Sequence, residues 1–153
     1  MNKSKSAPIA LSIALLLSVV TTGVHAEEED KRSPLEKFQG GTHFHFFMCQ
    51  LTARKAELDV KMGNLREPYT TVGACVKDGK SAVKALFPKA ISPFASKPEA
   101  SKLLKEYYVL WLTAMDSVKP DINEDDSEYE KRQKNNDRKL NEAWHRFEIE
   151  AEI

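Results

Sequence analysis

The stretch PEASKLLKEYYVLWLTAMDSV, residues 98–118, decides the fold class. Leu103, Leu104, Tyr107, Leu110, Trp111, Ala114 and Val118 recur at steps of three and four, which puts them on one helix face. Tyr108, Leu112 and Met115 widen that face. So broad an apolar surface marks a central helix buried by several neighbours. Ser96-Lys97-Pro98-Glu99 has the spacing of a capping box with a proline in the first turn, and Pro120 closes the segment.

Upstream, a helix is expected from about Thr42 to Met62, with Gly63-Asn64 as its C-terminal cap. Phe44, Met48, Leu51, Leu58 and Met62 form one apolar stripe, interrupted by Lys55, and Cys49, Ala53, Ala56 and Val60 form a second. Two stripes, read as lying side by side, imply contact with more than one neighbour. Pro68 and Thr70-Thr71 mark the next helix, whose face is Val72, Cys75, Val76, Gly79, Val83 and Leu86, with Pro88 as its stop. Between Pro88 and Pro98 a loop is expected, its Ile91 and Phe94 covering one end of the core.

Downstream, a fourth helix should start near residues 125–127 and run almost to the end of the chain. Leu140, Trp144, Phe147 and Ala151 can pack, but residues 121–139 hold only Ile122 and Tyr129 as apolar residues, with Gln133 and Asn136 at would-be core positions. That half is expected to project from the bundle or to meet a partner. No period-2 strand and no repeat is evident, so the chain is all-α, and an antiparallel four-helix bundle is the simplest way to bury these faces.

The 153 residues are 41% hydrophobic and 30% charged, enough for one domain with a core. Residues 1–26 have the pattern of a cleaved signal peptide: Lys3 and Lys5, an apolar run from Ile9 to Val20, then Val24-His25-Ala26. Cleavage would leave 127 residues with a formal charge of −2 and no stable membrane anchor. Residues 27–41 are expected as a flexible charged leader and 42–153 as a single helical domain. The short leader looks bacterial, so the protein is expected in the periplasm or secreted.

Exactly two cysteines in an exported chain imply one disulfide, Cys49–Cys75, between the first two helices. A tight hairpin turning near residue 65 would leave the two offset by about 9 to 12 Å along the axis. The bond therefore requires residues 64–70 to run back along the first helix, or the helices to cross steeply. The second helix would then begin near Thr70, not at Pro68.

Balanced charge, 23 basic against 23 acidic residues, offers no field for nucleic acid. His43 and His45 suggest a metal site as a runner-up, but Cys49, the third donor, is taken by the disulfide. Asp121, Asn123 and Asp125 imitate the start of a calcium loop, which fails where Asp126 replaces glycine and Arg132 replaces the final glutamate. No nucleophile elbow, zinc-protease motif or phosphate-binding glycine loop occurs, so neither enzyme activity nor a cofactor is expected. The expected function is non-enzymatic recognition of an envelope protein, for example as an immunity protein or inhibitor of a toxin or hydrolase. The expected contacts are Asp121, Glu124, Asp125, Asp126, Glu128 and Glu130, with Lys131, Arg132 and Lys134 beside them. The alternative is a bundle binding a small ligand or metal ion.

Overall fold

The computed structural model describes residues 31–153 except 64–67 and 122, with the side chains of 68 and 69 also left out. The expected signal peptide and the first residues of the leader lie outside the described residues. Four helices follow one another: α1 (Pro34–Lys61), α2 (Pro68–Ile91), α3 (Pro98–Asp116) and α4 (Asp126–Ala151). A single 3-10 turn, Ser92–Phe94, joins α2 to α3. The protein is all-α, and no helix among the described residues is long and apolar enough to cross a membrane.

Four helix boundaries differ from the sequence expectation. α1 starts eight residues before Thr42, because Ser33 and Glu36 close a reciprocal capping box around Pro34. The part of the expected flexible leader from Pro34 to Gly41 is therefore helix, and Phe38 within it is fully buried. α2 begins at Pro68, not near Thr70, and carries Pro88 inside its last turn before ending at Ile91. α3 is capped by Lys97 without a side-chain bond, so the Ser96 capping box does not form. The Ser101 hydroxyl instead donates to the Phe94 carbonyl at 2.6 Å, tying the helix start to the preceding turn. α3 also ends at Asp116, ahead of Pro120, with the Ser117 hydroxyl turned back onto the Ala114 carbonyl.

Contacts along the helices define their order and direction. Phe38 meets Phe87, Gly41 faces Val83, Gly79 faces His45, and Cys49 is bonded to Cys75. As one index rises the other falls in step, so α1 and α2 are antiparallel and stay in register along their length. In this register Pro68 is level with Ala56, and α2 begins about 7.5 Å short of the end of α1. No steep crossing is needed. The disulfide, with Cα atoms 5.6 Å apart, fastens this pair where the small residues let the backbones approach. In the same way Lys80 pairs with Asp116 across α2 and α3, while Lys97 reaches the Ala151 carbonyl and Tyr107 meets Trp144 across α3 and α4. The result is an up-down-up-down bundle of two helical hairpins.

α3 is the central helix, as its breadth implied: Leu104, Tyr107, Trp111 and Met115 are fully buried. Its aromatic residues meet two clusters. Tyr108 stacks on Phe87 beside Phe38, while Trp144 and Phe147 continue from Tyr107 to Phe94. Phe94 thus closes one end of the core, as expected. One polar chain crosses the centre: Tyr107 donates to the Thr42 hydroxyl at 2.7 Å, which donates to the Gln39 carbonyl. Trp111 Nε1 donates to the Thr42 carbonyl at 2.9 Å. No buried side-chain nitrogen or oxygen among the described residues is left without a partner, which keeps this chain affordable in a dry core.

Candidate functional site

α1 carries an outward apolar face. At about 100° per residue, Phe44, Met48, Leu51, Leu58 and Met62 centre on a direction roughly 150° around the axis from Phe38, Thr42, Cys49, Ala53 and Ala56. The two stripes lie nearly opposite each other, not side by side. The small-residue stripe is the buried one; the large-residue stripe faces solvent, with Phe44 58%, Phe47 57% and Met62 75% exposed. Lys55, in the middle of this face, is held by Asp59 at 2.8 Å. Large apolar side chains exposed together on one helix face are the kind of surface that marks interaction sites.

Between the two stripes, towards α4, α1 is polar. Gln50 donates to Gln133 at 3.3 Å, Arg54 lies 4.0 Å from Glu130, and Lys61 binds both Glu57 at 2.7 Å and Asp126 at 2.5 Å. Where the seam opens, it leaves a groove of about 250 Å³ lined by His43, Phe47, Gln50 and Asp137, among others.

The stretch expected to meet a partner is built extensively into the fold. Asp125 and Glu128 close the capping box of α4. Glu124 grips Arg132, whose guanidinium holds the carboxyl below its usual range. Asp126 is likewise lowered by Lys61. The Asp121 carboxylate accepts from the Asn123 backbone at 3.1 Å. Glu130, Lys131 and Lys134 remain exposed; Glu130 faces Arg54 of α1, whereas Lys131 and Lys134 line a separate cleft with Glu128 and Arg138.

The polar half of α4 does not project; its core positions close the end of α3. Gln133 Nε2 donates to the Ser117 carbonyl at 2.8 Å, Asn136 to the Ser117 hydroxyl at 2.7 Å, and Tyr129 to the Val118 carbonyl at 2.9 Å. Arg132 also donates to the Ser117 carbonyl. Tyr129, Gln133, Asn136 and Leu140 fall at steps of four, three and four, so polar residues continue the apolar stripe and supply donors to carbonyls that the end of a helix leaves open. That spacing was the available signal.

His43 and His45 point to different sides of α1: His43 lines the seam towards α4, whereas His45 packs against Gly79 of α2. Cys49 is in the disulfide. No three His, Cys, Asp or Glu side chains gather in a metal-holding group among the described residues.

The class that this fold defines is a disulfide-linked all-α bundle with an outward apolar helix face. No family model, curated protein or solved structure matches the chain.

Proposed function

We propose that the chain is a non-enzymatic recognition protein of the bacterial envelope, acting by binding another protein. A disulfide such as Cys49–Cys75 suits an oxidising compartment outside the cytoplasm, and the periplasm is the compartment we favour. The observation that carries the reading is the exposed stripe from Phe44 to Met62. An apolar centre with a polar rim is the anatomy of a protein interface. Here the stripe is the centre, and Arg54 and Glu130 form part of the rim. Immunity to, or inhibition of, an envelope-directed toxin or hydrolase is the concrete role proposed. The acidic run beside the rim would steer a basic partner and give salt-dependent association.

A photo-crosslinking residue placed at Phe47, and separately at Ile149, tests this in the exported protein. Ile149 is also exposed, but lies on α4. One discrete adduct with an envelope protein is expected from Phe47 and none from Ile149. No adduct at Phe47, or the same adducts from both sites, would overturn the reading. The runner-up, a bundle that holds a small ligand or metal ion, draws on the α1–α4 groove. A wider cleft of about 990 Å³ lies between the end of α1, the α3–α4 loop and α4, but its charged groups Lys61, Asp126, Glu124 and Arg132 are paired with one another, which ranks this reading second.

A further inference from the structure

The groove where α1 and α4 part adjoins the apolar stripe at Phe47, whose ring belongs to both. Phe46, Trp111 and Leu140 form its apolar wall. Most of its polar groups are already engaged. Trp111 Nε1 donates to the Thr42 carbonyl, the Thr42 hydroxyl is bonded to Tyr107 and Gln39, and Gln50 donates to Gln133. Asp137 is exposed and bonded by Gln50, makes no ion pair among the described residues, and has its carboxyl pushed above the usual range by partial burial despite the opposing pull of Gln50 and His43. Of the groove's lining residues it is the acidic one, open to a cation from outside.

The geometry points to this groove as the seat of a lysine or arginine side chain of the partner. The aliphatic stem would lie along Phe46 and Phe47, the cation would meet Asp137, and flanking apolar residues of the partner would cover Phe44, Met48 and Leu51. This inference rests on the recognition reading above. Charge complementarity selects the occupant. An acidic side chain would be repelled by Asp137. An apolar one would desolvate the carboxylate further without pairing it, at a cost in free energy. A lysine or arginine satisfies both halves of the groove, because its stem is apolar and its head charged. The exposed ring of Phe47 can add a cation–π contact. The groove's size suits one long side chain better than a whole ligand.

The test uses two capped tripeptides, Ac-Leu-Arg-Leu-NH2 and Ac-Leu-Nle-Leu-NH2, titrated into the isotope-labelled full chain and followed by amide chemical shifts. Low salt keeps exposed charges from being screened. The arginine peptide should shift the amides of His43, Phe47, Asp137 and Asn141 and bind about fivefold tighter than the norleucine peptide. Asp137→Asn should erase that advantage by weakening the arginine peptide, while the norleucine peptide binds as tightly as before or more tightly, since it no longer covers a carboxylate. Equal affinities in the parent chain, or an advantage that survives Asp137→Asn, would overturn the inference. The two proposals can fail separately. If Phe47 captures a partner but no arginine preference exists, the groove assignment falls alone. If the preference stands and Phe47 captures nothing, the recognition role falls and the groove remains a seat for cationic side chains.

Discussion

Removing the disulfide by the double substitution Cys49→Ala, Cys75→Ala should destabilise the bundle by about 3.5 kcal/mol at 25 °C. The figure follows from the separation of 26 residues between the cysteines, which sets the loop entropy that the cross-link removes from the unfolded chain. The Cα–Cα distance of 5.6 Å is ordinary for a disulfide, so no distortion of the helix pair offsets the gain. For a domain of this size, at an unfolding entropy of about 2.1 cal/mol/K per residue, the loss corresponds to a fall in Tm of roughly 14 °C. Urea titration and thermal melting, both followed by helix ellipticity, would measure it. The oxidised parent, the reduced parent and the double variant should be compared side by side. The mechanism predicts a second number as well: the urea slope m should rise, because an unlinked unfolded chain exposes more surface. A loss below about 1 kcal/mol would refute the reasoning. So would a full loss with an unchanged m, since the effect would then lie in the folded state.

Further outcomes follow from local geometry. Gly73→Ala in α2, where an added Cβ meets nothing within 4 Å, should stabilise by about 0.5–1 kcal/mol through helix propensity. Gly79→Ala should instead lose about 1 kcal/mol net, because its Cβ would lie 3.0 Å from both His45 Cβ and Met115 Cε. The methionine can move, but His45 Cβ is fixed to a helix bonded one turn away; equal melting temperatures for the two alanine variants would contradict this. Gln133→Leu should cost about 1 kcal/mol in urea unfolding, at the low end for a lost buried partner, since Arg132 still donates to the Ser117 carbonyl. Tyr107, pushed up to about 12 by burial and partly eased by its bond to Thr42, should make the fold alkali-sensitive. Its folded pKa is the higher one, so its contribution is complete below pH 10 and is lost as pH rises through about 12. Tyr107→Phe should flatten that part of the stability profile. Finally, Phe44→Ser with Phe47→Ser should change stability by no more than about 0.5 kcal/mol, since both rings are exposed, while abolishing the crosslinked adduct when the probe is moved to Leu51.

Much of the bundle was legible in the sequence because helix periodicity and disulfide arithmetic are local signals. The face of α3, the start of α4 at Asp126 and the Cys49–Cys75 pair needed no knowledge of packing. α1 starts well before Thr42 because Ser33-Pro34-Leu35-Glu36 is a complete capping box, and Gly40-Gly41, a pair that ordinarily disfavours helix, does not break it. Those glycines stand inside the helix, and at Gly41 an added Cβ would already lie 3.1 Å from Leu86 Cδ1. Pro88 misled for a related reason. A proline in the last turn removes one donor near a helix end, and the chain continues as helix for three more residues. Gln133 and Asn136 were misread because polarity at a core position suggested an unpacked helix, whereas the groups they satisfy, the carbonyl and the hydroxyl of Ser117, lie at the end of a different helix.

The largest revision concerns α1, and it bears directly on function. Past the buried Phe38 and Phe46, bulk and burial are inverted: Cys49, Ala53 and Ala56 face the core, while Met48, Leu51, Leu58 and Met62, like Phe44 and Phe47, face water. The small residues have a packing reason, since α1 and α2 approach closely enough for Cys49 to bond Cys75 and for Gly79 to sit against His45. No such reason covers Phe44 and Phe47 among the described residues. Serine or lysine at those positions would leave the core intact and make the surface more soluble. A helix shaped only by its own fold would have no need of them, and two nearly opposite apolar faces are what a helix requires when it packs inward on its own domain and outward on another.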